Sequence, residues 1–182
     1  SVAGLFMDGL CKANIGNFII KETASDASGE FGMGVAVQEG AELIMDNGII
    51  DSNRESGVMV YNASVKALNV TVKDTGPRKC HVEKNCVFAP GTPFGHGISL
   101  YHSSVMSFSG VTVSGNSNGI NMESSEIFPE YGGNMSFIGN ESAVNAWDIE
   151  WLNELEKALA GSVFCSNGSI FTTDVQPVRD GI

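Results

Sequence analysis

Four short stretches of the chain alternate in the same way. GVAV from Gly34, GVMV from Gly57, GISL from Gly97 and GINM from Gly119 are each apolar at the second and fourth positions and variable at the third. A period of two is what a strand with one face turned inward requires. The pattern then continues in step. Ala41, Ser64 and Ser104 fall seven positions after the glycine, and Val65, Val105 and Ile127 fall eight positions after it. A second apolar group follows as GIID at 48–51, VTVK at 70–73 and VTVS at 111–114, and Asn53, Thr75 and Asn116 close the unit 18 or 19 positions after the glycine. Two strands and a turn in roughly 22 residues describe one coil of a parallel β-helix.

The glycines are 23, 40 and 22 positions apart. The long interval contains TGPRKCHVEKNCVFAPGTPFG, so a loop at 76–95 is predicted as an insertion between coils. Fainter units from Gly4 and around MSFIGN, which ends at Asn140, extend the stack, giving about five to six coils over 3–147. Short strands between turns would also suit a β-sandwich, but a sandwich does not stack like on like. A β-helix does, because each coil lies about 4.8 Å from the next and equal offsets become columns. Turn asparagines in such columns can hydrogen-bond along the stack.

After Trp147 the period changes. DIEWLNELEKALAG at 148–161 reads as an amphipathic helix with Asp148 as N-cap, an apolar stripe of Ile149, Leu152, Leu155 and Leu159, and Gly161 as terminator. Such a helix could cover an open end of the stack. The segment 162–182 is expected to form a hairpin or one more irregular coil. One domain, 1–182, is predicted.

Residues 34–146, and GHGISLYHSSVMSFSGVTVSGNSNGINMESSEI in particular, resemble the repeats of pectin-lyase-like right-handed β-helix proteins. FIGN at 137–140 is similar to the F-x-x-N element of polymorphic outer-membrane-protein-type surface repeats. The resemblance implies an all-β, right-handed parallel β-helix in an extracellular or cell-surface setting.

Charge narrows the choice of partner. Ten basic against 21 acidic residues give a net charge of −11, which opposes binding to nucleic acid and to anionic membranes. No apolar run is long enough to span a bilayer, and SVAGLFMDGL lacks the basic start of a signal peptide, so the chain reads as a mature protein or a fragment. The 22 glycines and 15 asparagines point to many tight turns. Cys80 and Cys86, with five residues between them in the loop, read as a local disulfide, and Cys11 and Cys165 as buried thiols. Five Asn-x-Ser/Thr triplets, at Asn62, Asn69, Asn134, Asn140 and Asn167, lean towards a secreted glycoprotein.

Chemistry is sparser. Gly95-His96-Gly97 resembles the Gly-His-Gly element of polygalacturonases, whose inverting hydrolysis needs two carboxylates separated by a water-sized gap. Asp46, Asp51 and Asp74 are isolated, and no Asp-Asp occurs. A lyase would need a base and clustered acids, yet Arg54, Lys66 and Lys73 share no offset, and Glu39, Glu42, Asp46 and Asp51 disperse around one coil. His81 has no second histidine or acidic cluster nearby for a metal. Neither metal nor other cofactor is predicted.

One column invites a ligand. Four positions after each glycine come Gln38, Tyr61, Tyr101 and Glu123, outward-facing, with His102 beside them. Tyr61, Tyr101, His102 and Glu123 could stack on a sugar ring and bind its hydroxyls, or the aromatics could form a ladder between coils. The sequence therefore predicts a non-catalytic surface module, structural or adhesive, whose partners are glycans or other copies of a repeat protein. The alternative is a polysaccharide lyase or hydrolase, or a degenerate relative, in which His96, His102 and Glu123 would act.

Overall fold

A computed structural model describes residues 3–84, 94–147 and 152–172. Every strand pairing within them is parallel, which excludes the sandwich. The glycine-led strands form the first sheet: β1 (Ala3–Met7), β3 (Met33–Gln38), β5 (Ser56–Tyr61), β7 (His96–Tyr101), β10 (Asn118–Glu123), β13 (Ser142–Trp147) and β15 (Ser169–Thr172). Six of these seven rungs lie within 3–147, where the spacing predicts five to six coils, and the seventh, β15, lies in the segment expected to form a hairpin or one more irregular coil; the last two rungs carry Ala143 and Ile170 in place of the template glycine. The glycine column has a steric cause. A Cβ on Gly57 would sit 2.7 Å from the Gly97 carbonyl oxygen, and one on Gly97 would sit 2.7 Å from that of Gly119.

The second sheet is built from β2 (Lys12–Lys21), β4 (Glu42–Asp51), β6 (Ser64–Lys73), β8 (Val105–Ser109), β9 (Val111–Ser114), β11 (Glu126–Pro129), β12 (Met135–Ile138) and β14 (Val163–Cys165). Within each long strand the burial alternation slips by one residue at Asn17, Asn47 or Asn69, all with φ of 52–54°. Gly110, at φ 64°, separates β8 from β9 at the same place. Asparagine and glycine tolerate this left-handed conformation, and the bend gives each coil a third side.

The second corner follows the third side. Ser52, Asp74, Gly115 and Gly139 are left-handed there, and each donates its amide to the next coil. Immediately beyond runs the asparagine ladder. Asn116 Oδ1 accepts from the Thr75 amide at 3.0 Å, Asn140 Oδ1 from the Asn116 amide at 3.1 Å, and Asn167 Oδ1 from the Asn140 amide at 3.0 Å. These oxygens cap backbone donors that the coil would otherwise bury unpaired. Asn116→Ala is expected to lower folding stability by about 1–3 kcal/mol, with exposed Asn14→Ala within about 0.5 kcal/mol as control, in urea titrations.

One register differs from the sequence reading. Val65 pairs with Met106, not Val105, because the first corner has one residue more between Tyr101 and β8 than between Tyr61 and β6. Met106 is fully buried and Val105 half-buried, so the inward column runs Leu43, Val65, Met106, Ile127. The core fills the coil interior from Met7 to Leu159.

The C-terminal helix covers one side of the stack, over the last strand of its row. With α1 (Lys79–Glu83) standing in the inserted loop, α2 (Leu152–Ala158) lies on β11, with Leu155 and Leu159 in the core, while β14 continues β12 and β15 continues β13. It replaces one side of the last coil. Phe164 stacks on Phe137 at 5.0 Å with rings 3° from parallel, which returns the chain to the stack after the helix. Asp148 and Ile149 lie outside the described residues.

Candidate functional site

The outward side of the first sheet holds most of the sequence-predicted site residues. Tyr61 and Tyr101 are paired neighbours on β5 and β7, and Glu123 of β10 pairs with Trp147 of β13. His102 occupies the first corner with φ 52°, and its ring lies 4.7 Å from that of Tyr61 at 51°. Tyr101 stands 6.4 Å from Trp147. This column is not the open stripe that alternation predicts. Gln38, Glu123 and Trp147 are buried, and Tyr61, Tyr101 and His102 are half-buried.

The Tyr101 hydroxyl is already engaged. Asn121 Nδ2 donates to it at 2.9 Å, and burial pushes the phenol up to about 12, so it stays neutral. Asn145 Nδ2 donates to Asn121 Oδ1 at 2.8 Å, and Thr172 Oγ1 donates to Asn145 Oδ1 at 2.9 Å. A polar seam therefore crosses four coils on the outward side. The sequence reading missed it, although the signal was present: Ser99 and Asn121 occupy the template position treated as variable, and Asn145 holds the same place after Ala143.

His96 sits at the other end of β7, 1% exposed. Asn118 Nδ2 lies 3.2 Å from its Nδ1, and donation from that amide leaves the proton on Nε2, which has no hydrogen-bond partner among the described residues. Burial, with the neighbouring Arg78 charge, drives His96 down to about 3. The imidazole is neutral across the physiological range and cannot act as a general acid there. Beside it Arg78, fully buried, grips Glu55 with two hydrogen bonds of 2.9 Å, and its guanidinium lies 3.9 Å from the Phe94 ring centre. This pair also escaped sequence reading, since Glu55 and Arg78 lie in turn and loop.

The structure does not gather the three residues of the enzyme alternative. His96 and His102 are separated by the length of an extended strand, roughly 20 Å, and Glu123 lies at the His102 end. Among the described residues, no three His, Cys, Asp or Glu side chains are grouped to hold a metal.

The other candidates divide by exposure. Asn62, Asn69 and Asn134 are exposed, the first two as corner residues. Asn140 is 2% exposed, and its Nδ2 donates to Val113 O and Asn167 Oδ1. Asn167 Nδ2 donates to Phe137 O. Both amides serve the ladder, which removes them as acceptors of a sugar in the folded chain. Cys11 and Cys165 are exposed free thiols rather than buried ones, because each lies on a terminal coil. Cys80 is buried. Cys86 and the side chain of His81 lie outside those described.

A family model described as "Right handed beta helix region" matches residues 2–142. The chain belongs to that family of right-handed parallel β-helix proteins. Neither the curated proteins nor the solved structures gave a match.

Proposed function

We propose that this chain is a non-catalytic β-helix module of the cell surface or extracellular space, with a structural or adhesive role and glycans as its contact. The observation that carries the reading is the filled outward seam. The Tyr101 hydroxyl is spent on Asn121, and His96 is held neutral far from Glu123. Hydrolysis or elimination on a polysaccharide needs an acid and a base converging on one bond. The half-buried rings of Tyr61 and His102 remain the part of the face best suited to a sugar.

Glycan-array binding of the intact chain tests this. Binding to neutral glycans that falls about tenfold in Tyr61→Ala supports a stacking contact, whereas binding unchanged by Tyr61→Ala and His102→Ala would remove that face from the reading. The extracellular setting has its own test. Produced through a secretory pathway, the protein is expected to carry glycans at Asn62, Asn69 and Asn134 but not at Asn140 or Asn167, by peptide mass spectrometry. The same digest without reductant is expected to yield a Cys80–Cys86 linked peptide. Unmodified sequons and free Cys80 would argue for a reducing compartment.

A further inference from the structure

A cavity of about 470 Å³ lies between β11 and α2, with walls made of described residues. Its origin is geometric. Strand follows strand at about 4.8 Å along the row β2, β4, β6, β8 and β11, but the next place is taken by a helix about 10 Å wide, whose axis stands further off. Leu155 and Leu159 fill the core side of the gap, whereas Ala158 lines the cavity with a single methyl group.

The lining is apolar in its body and rich in acceptors at its edge. Met122, Ile127 and Leu155 are buried, and the Phe128 ring beside them is 43% exposed. The Glu126 and Glu130 amides donate to the Ser104 and Phe108 carbonyls, which places the hydrogen-bonding groups of these residues on the β8 side. By alternation the Ile127 and Pro129 carbonyls turn the other way, towards α2. Only one amide, that of Ile127, accompanies them, because proline has none. Lys157, the one cation in the lining, is paired with Glu154. Glu126 lines the same cavity, is exposed, and has no ion-pair partner among the described residues.

We infer that this cavity binds a small organic amine with an aromatic or aliphatic body. The body covers the apolar lining and the open side of the Phe128 ring, and the volume is that of an ordinary small-molecule site. The ammonium donates to the Glu126 carboxylate and to the edge carbonyls, and the Phe128 ring attracts it as well. A carboxylate of the same shape would bring its charge against Glu126 and find a single amide donor. The site belongs to the second sheet, away from Tyr61 and Tyr101 of the first, so the inference stands independently of any glycan contact.

Calorimetric titration of the intact chain with phenylbutylamine, phenylbutanol and phenylbutyrate at low salt tests it. The amine is expected to bind saturably and about tenfold more tightly than the alcohol, with the carboxylate weakest. Glu126→Gln, at an exposed position, should bring the amine to the level of the alcohol and leave the alcohol unchanged. Ala158→Leu, checked for native circular dichroism, should weaken both about tenfold, since the larger side chain occupies the cavity. The inference is overturned by an amine that does not bind saturably, by a carboxylate bound as tightly, or by amine binding that either substitution leaves unchanged.

Discussion

Replacing Arg78 by methionine is expected to remove about 3–5 kcal/mol of folding stability, the cost typical of leaving a buried charge without its partner. Arg78 is 0% exposed and Glu55 3%, and two hydrogen bonds of 2.9 Å join them. The methionine keeps the volume against Phe94 but leaves the Glu55 carboxylate facing an apolar side chain. A lower urea midpoint with unchanged slope would show the loss. Glu55→Gln/Arg78→Met should recover most of it, since replacing both charges removes the orphan. If the single and double variants were equally unstable, the role of Arg78 would be packing rather than pairing.

The second large effect is on acid stability. His96 titrates near 3 in the folded chain against an ordinary 6.5. For a base with a depressed folded value, the unfolded chain binds the extra proton between those two values, so stability rises with pH through that window and levels off above 6.5. Acidification from pH 6 to pH 4 should therefore lower stability by up to about 1.4 kcal/mol per pH unit from this group. His96→Asn should flatten that dependence without abolishing folding. A wild-type profile unchanged below pH 6 would contradict the burial of a neutral imidazole beside Arg78.

Much of the architecture could be read in the sequence because a stack of coils repeats its own constraints. Glycine recurs where a Cβ would meet the next coil's carbonyl oxygen, and Asn116 and Asn140 recur where a backbone amide needs a cap. What escaped reading depended on relations that no offset records. The one-residue difference at the first corner moved Met106 into the core in place of Val105. The place of α2, on one side of the last coil, is set by Phe164 rejoining Phe137 beyond it, and an amphipathic stripe carries no sign of that. The site was less legible still. Alternation correctly turned Tyr61 and Tyr101 outward, but outward is not exposed when Asn121, Trp147 and His102 fill the same surface. The Gly95-His96-Gly97 element reads as chemistry in a string and as packing in space, since His96 meets Asn118, Phe94 and Arg78 rather than a carboxylate pair.

The proposed function makes the outward face of the first sheet a structural seam and not a centre of turnover. Its most direct test is product formation, by reducing-sugar and unsaturated-uronate readouts, from neutral and acidic polysaccharides incubated with the intact chain. No product above a heat-denatured control is expected, and His96→Ala and Glu123→Ala should leave that baseline unchanged. Turnover by the wild-type chain that either substitution abolishes would contradict the account.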